Sequence, residues 1–153
     1  MTCRSKAITA EQWRQLGYHY DRNDTAKEWV LTGSPFGLKR FVVQLRQYAG
    51  NAAKSAASEH DHWGPYSYLE IMTWHEAGID QHSIFGTPDD LRRLAEIVEK
   101  YLLDVNVETH IEVSPEYSET CSYRLVLAIK DYGFDPARND PQLWTDEASG
   151  TMN

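Results

Sequence analysis

"GTPDDLRRLAEIVEKYL", residues 86–102, carries a helix start signal in its first letters. Thr87 is a good N-cap, and Pro88 follows at the first helical position, where a missing N–H costs nothing. Asp89 and Asp90 fall in the first turn, where the helix dipole favours negative charge. Leu91, Leu94, Ala95, Val98, Tyr101 and Leu102 recur at helical spacing and define one apolar face, with Ile97 beside it. Glu96 and Lys100 add a favourable i,i+4 pair. The preceding "DQHSIFG" (80–86) reads as a strand that delivers the chain to this helix.

An earlier stretch, "GSPFGLKRFVVQLRQYA" (33–49), has the same design. Ser34 caps, Pro35 starts, and Leu38, Phe41, Val42, Leu45, Tyr48 and Ala49 form the apolar face. A shift of 53 residues superposes these six positions on the six of the later helix. The strand "KEWVLTG" (27–33) precedes this copy. After each helix, "YLEI" (68–71) resembles "HIEV" (110–113), followed by a turn and a further strand. Strands are expected over 66–74, 80–86, 105–113 and 121–131, from alternation and bounding turn residues. The order becomes β-α-β-β-α-β-β, with a repeating α-β-β unit.

This pattern resembles the ferredoxin-like sandwich. It predicts an α+β fold with two helices on one face of a mainly antiparallel sheet, an added strand, and an internal pseudo-twofold. One domain is expected over 1–153, with halves at about 27–79 and 80–133. Thr9 would cap a short helix over 10–16, and Gly17 would end it. Residues 18–26, 50–65 and 114–120 read as loops or turns, and Asp135 with Pro136 looks like a third cap. Residues 148–153 would be a frayed tail. Glu70, Met72, Trp74, Arg124 and Val126 would be displayed on the open sheet face.

Composition narrows the function classes. Net charge is -8, and residues 104–153 hold 10 acidic against 3 basic side chains, whereas residues 1–103 are nearly balanced at 13 against 12. Such a field repels phosphate backbones and argues against nucleic-acid binding. It favours a basic protein partner, with Glu108, Glu112, Glu116, Glu119 and Asp131 as the acidic surface and Trp74 as an aromatic contact. No apolar run is long enough to predict a membrane span. The start "MTCRSKAITAEQW" lacks the apolar core of a secretory leader, so a cytoplasmic chain is expected. Cys3 and Cys121 show no metal or redox spacing and read as two free thiols.

Catalytic motifs are few. "GSPFGLK" lacks the P-loop spacing, and "GTPDDL" places two carboxylates where a phosphate would sit. No dinucleotide loop or nucleophile elbow occurs, so a non-catalytic role without a cofactor is expected. "EHDHW" (59–63) is the best metal candidate. His60 and His62 form an H-x-H pair beside Glu59 and Asp61, and a third ligand would come from His75 or His82. "WHE" (74–76) could serve as an acid–base pair, although aromatic cover at a strand end is the commoner use.

The small size, the acidic balance, the Trp and Tyr content and the strand–G-[ST]-P-x-x-L–helix layout resemble small bacterial immunity proteins of polymorphic toxin systems. The resemblance spans about 27–131 and transfers no residue roles. It implies a protein that neutralises a basic toxin by covering it with an acidic surface. Metal binding through the His60/His62 loop and an oligomerising structural module are the alternatives.

Overall fold

In the computed structural model, which describes residues 2–144, both proline-started helices form. The chain runs α1 (Cys3–Leu16), β1 (His19–Asn23), β2 (Glu28–Gly33), α2 (Pro35–Ala49), β3 (His60–Trp63), β4 (Leu69–Thr73), β5 (Gly78–Ile79) and β6 (Ser83–Gly86). It continues through α3 (Pro88–Leu103), β7 (Thr109–Glu112), α4 (Ser114–Tyr117) and β8 (Arg124–Ile129). The expected tail at 148–153 lies outside the described residues.

The twin starts share one backbone geometry, since Ser34 and Thr87 both have φ -68 and ψ 163. The Ser34 hydroxyl accepts from the Gly37 N–H at 3.0 Å. Thr87 does the same for Asp90, and the Asp90 carboxylate accepts in return from the Thr87 N–H, completing a capping box. Position 37 cannot use that device. A Cβ on Gly37 would lie 2.1 Å from the Gly17 carbonyl oxygen, because the left-handed turn that ends α1 (Gly17, φ +95) rests on the first turn of α2. Where one copy spends this position on a cap, the other spends it on docking α1.

The strands sort into two mixed sheets, ordered β1-β2-β8-β7 and β5-β6-β4-β3. In each, the central pair is parallel (β2 with β8, β4 with β6) and the outer pairs are antiparallel. Each sheet therefore takes its first two strands from one half of the chain and its last two from the other. The halves are interleaved about a pseudo-twofold axis that passes between α2 and α3. Arg46 and Glu99, equivalent positions 53 residues apart, meet across that axis in a two-pronged ion pair at 2.8 and 3.0 Å. Identical residues there would have repelled each other.

This is the expected α+β class, compatible with a ferredoxin-like arrangement of two helices against sheet. One core joins the helix faces to Trp29, Leu31, Leu125, Leu127 and Ile129 of one sheet and Leu69, Ile71 and Ile84 of the other. All six expected core positions of α2 are buried. In α3, Leu91, Leu94, Ala95 and Val98 are buried, while Tyr101 and Leu102 are half-buried near the helix end.

Four expectations change. First, α1 begins at Cys3, where the Thr2 hydroxyl accepts from the Ser5 N–H. Thr9 is buried inside the helix, because no glycine or proline stops it from extending backward from Trp13 and Leu16. Second, β1 and β3 occupy segments that read as loops. Both are short polar edge strands, and such strands carry little alternation. Third, β7 is shorter than 105–113, since Glu108 takes a left-handed φ of 60 and interrupts the strand before it starts. Fourth, "YLEI" and "HIEV" are not equivalents. β4 and β8 are the central partners, and β7 corresponds to β3 at the sheet edge. The 53-residue shift is kept only through the helices because the later connections differ in length.

Within the described residues, Asp135 does cap a 3₁₀ turn (Pro136–Asn139), and "SPEY" forms the short helix α4. Cys3 and Cys121 are free. No helix among the described residues is long and apolar enough to cross a membrane.

Candidate metal centre

Alternation along an edge strand builds this site. His60 and His62 are two residues apart on β3, so both rings project from one face. The antiparallel register sets His62 opposite Glu70 and His60 opposite Met72 on β4. Glu70 and Met72 alternate with buried Leu69, Ile71 and Thr73, so this is the face turned away from the core. The imidazole rings stand nearly perpendicular with centroids 5.1 Å apart. His60 Nε2 lies 3.9 Å from Glu70 Oε1, and one ligand atom from each of the three residues falls within 4.8 Å of the others.

Both rings are held by their other nitrogen. His60 Nδ1 is 3.0 Å from the Ser58 carbonyl, and His62 Nδ1 is 3.1 Å from the Ser67 carbonyl. A carbonyl can only accept, so each Nδ1 carries a proton, and in the neutral ring Nε2 is the nitrogen that presents a lone pair. This is the outer-shell arrangement that orients histidine ligands in metal sites. The two carbonyls are placed by unusual backbone: Ser58 and Ser67 have φ of 77 and 59. Non-glycine residues rarely take such values, and they persist where the surroundings enforce them. Ser58 is further fixed by its N–H donating to the Thr73 carbonyl at 2.8 Å.

The donor set is two imidazole nitrogens and one carboxylate oxygen. Zinc bonds of about 2.0–2.2 Å in a tetrahedron need donors about 3.3 Å apart, so modest side-chain rotation would close the set. His60 and His62 are exposed and Glu70 is half-buried, which leaves a further coordination position to solvent.

The sequence identified the two histidines but not their carboxylate. Asp61 falls on the opposite face of β3 and pairs with Lys54 at 3.0 Å. Glu59 precedes the strand. His75 packs against Trp74 with ring centroids 4.5 Å apart, and His82 Nε2 lies 3.1 Å from the Gln81 amide. Neither joins the cluster, and the third candidate donor is Glu70. Its signal was legible as an outward position in "YLEIMT", although nothing in the sequence paired that strand with "HDHW". The pseudo-twofold provides an internal comparison. Register places His110, Glu112 and Val126 at the positions equivalent to His60, His62 and Glu70. The second sheet thus lacks the third donor.

The acidic candidates are more dispersed. Glu108 pairs with Lys130 at 3.1 Å, and Glu116 with Lys100 at 3.1 Å. The Tyr101 hydroxyl and Lys100 together hold the Glu116 carboxyl below its usual range. Asp131 accepts from the Gly133 N–H in a turn, and Glu112 lies 3.4 Å from the Ser114 hydroxyl. Glu112, Glu119 and Asp131 have no basic partner among the described residues. Trp74 follows β4 in the other sheet, half-buried, and does not join this group.

Comparison with protein-family models, curated proteins and solved structures returned no match to this chain.

Proposed function

We propose that this protein binds one divalent transition-metal ion of the zinc, nickel or copper class at His60, His62 and Glu70. The observation that carries this reading is the pair of Nδ1 anchors on left-handed Ser58 and Ser67, together with His60 Nε2 3.9 Å from Glu70 and donor atoms of all three residues within 4.8 Å of one another. Mixed imidazole and carboxylate donors suit these metals better than calcium or magnesium, which prefer oxygen alone. Titration calorimetry on tag-free, chelator-stripped protein should show one site for zinc or nickel. His62→Ala and Glu70→Ala should each weaken it by about tenfold or more. Equal affinity in Glu70→Ala would refute the three-ligand site.

A second reading is supported by the unpaired carboxylates Glu112, Glu119 and Asp131: a protein-binding chain of the immunity type, steered to a basic partner. Capture of a basic protein that is released by salt would support it. Binding unchanged by salt, or by Glu112→Gln with Glu119→Gln, would remove it.

A further inference from the structure

A second pocket lies away from the histidine pair, at the free edge of β1. It encloses about 380 Å³ between β1, the β3–β4 connection and the segment 139–142. That volume is within the range of small-molecule sites. Its walls include Trp13, Tyr20, Tyr66 and Tyr68. Tyr66 stacks on Tyr68 with centroids 5.6 Å apart and meets Trp13 edge-on at 6.2 Å.

Besides the tyrosine hydroxyls and the neutral amides of Asn139 and Gln142, the polar groups at this pocket are two carboxylates and an imidazole. Asp140 is 2% exposed. Its Oδ2 accepts from Trp13 Nε1 at 2.9 Å and from the Tyr66 hydroxyl at 2.6 Å, and its Oδ1 accepts from the Gln142 N–H at 2.9 Å. All three donors are neutral, and no basic side chain pairs with Asp140 among the described residues. Asp21 lines the same space and is exposed. His19 is 6% exposed, and its Nδ1 is enclosed without a hydrogen-bond partner. Buried polar groups are nearly always satisfied, so an orphan here is informative. Burial favours the neutral imidazole, against the opposing pull of Asp21 and Asp140. No lysine or arginine among the described residues lines the pocket. Arg22, which lines an adjoining hollow with Tyr20, Asp21 and Tyr68, is held by Asp24 at 2.9 Å, the Gln81 carbonyl at 2.9 Å and the Trp29 ring at 5.9 Å.

Aromatic faces and uncompensated carboxylates both attract a cation and both repel an anion. We infer that this pocket binds an organic cation, an alkylammonium or guanidinium group whose apolar body rests on Tyr66 and Tyr68 and whose charge faces Asp21 and Asp140. None of the proposed metal ligands lines this pocket, and the two sites meet only at the β3–β4 connection, where Tyr66 and Tyr68 flank the Ser67 carbonyl that anchors His62. The cation has two possible sources, a free small amine or a lysine or arginine side chain of a basic protein.

The test follows the Trp13 indole N–H resonance, which reports directly on the Asp140 hydrogen bond. Full-length protein is titrated with butylammonium, tetramethylammonium, butylguanidinium and a neutral isostere of the quaternary cation, 3,3-dimethylbutanol. A lysine-containing tripeptide and its Nε-acetylated form complete the set. Saturable shifts are expected with the cations, with affinity about tenfold weaker for the neutral isostere. Tyr68→Ala and Asp21→Asn alter exposed side chains, retain the fold, and should each weaken cation binding by a similar factor. Binding of the free amines assigns a small-molecule ligand, whereas binding of the unmodified peptide alone assigns a partner side chain. Equal shifts with cations and isostere, no saturable shift with any probe, or cation binding unchanged in both variants would overturn the inference.

Discussion

Removing the Asp140 carboxylate should destabilise the protein far more than its place near the end of the described chain suggests. Asp140→Ala withdraws the acceptor from the Trp13 indole and the Tyr66 hydroxyl, which lie 127 and 74 residues away. Trp13 is 1% exposed, so its indole N–H is poorly placed to exchange the lost partner for bulk water. Stranding a buried donor costs about 1–3 kcal/mol, and a half-buried Tyr66 hydroxyl that can turn to water loses about 0.5–1.5 kcal/mol. The sum is about 1.5–4.5 kcal/mol, or a melting temperature lower by roughly 3–18 °C in a chain of this length. Urea unfolding followed by tryptophan fluorescence measures it directly, with a lower midpoint at unchanged slope. Trp13→Phe removes the donor together with part of the packing. In the double variant, Asp140→Ala should then cost about 1 kcal/mol less than in the parent. A loss below about 0.5 kcal/mol, or strict additivity, would show that this hydrogen-bonded hub does not hold α1 to the C-terminal segment.

Three further outcomes follow from the geometry. Gly37→Ala should cost about 1–3 kcal/mol in urea unfolding, because its Cβ would sit 2.1 Å from the Gly17 carbonyl and push α1 off α2. Thr87→Ala and Ser34→Ala should each cost about 1 kcal/mol in the same assay, because each removes one hydroxyl acceptor from a first-turn N–H, while the Thr87 N–H keeps its bond to the Asp90 carboxylate. Burial holds the His19 imidazole below its ordinary range, so the unfolded chain takes up that proton first as pH falls. Stability should therefore decline as pH drops through about 6.5, the unfolded value, and stop declining below the folded one. The urea midpoint between pH 8 and pH 5 should show this slope in the parent and lose part of it in His19→Gln.

The helices were legible because each carries its boundaries and its core face in the same few letters. Ser34-Pro35 and Thr87-Pro88 set the starts, and six apolar positions per helix set the facing. Central strands were legible for a related reason: "EWVLTG" and "RLVLAI" are apolar enough to be recognised without their partners. The edge strands were not. "HYDRN" and "HDHW" owe their strand geometry to a neighbour's hydrogen bonds, and no local pattern announces that. The interleaving of the halves was hidden as well, since pairing β2 with β8 joins residues about a hundred positions apart. The candidate metal site was half legible. H-x-H named two ligands, but Glu70 became the third through strand register alone, and Ser58 and Ser67 contribute only backbone. The pocket at β1 left no sequence signal, because Trp13, His19, Tyr66 and Asp140 come from four separate segments. The acidic third was visible as a count, and the structure shows Glu108 and Glu116 already engaged by lysines.

The most direct test of the metal reading is the nitrogen NMR spectrum of the histidine side chains during zinc titration. Zinc should move the Nε2 resonances of His60 and His62 together, saturating at one equivalent, while their Nδ1 protons stay bound to the Ser58 and Ser67 carbonyls. His19, His75, His82 and His110 should stay unshifted. Zinc that moves those histidines instead, or leaves His60 and His62 unchanged at one equivalent, would contradict the account.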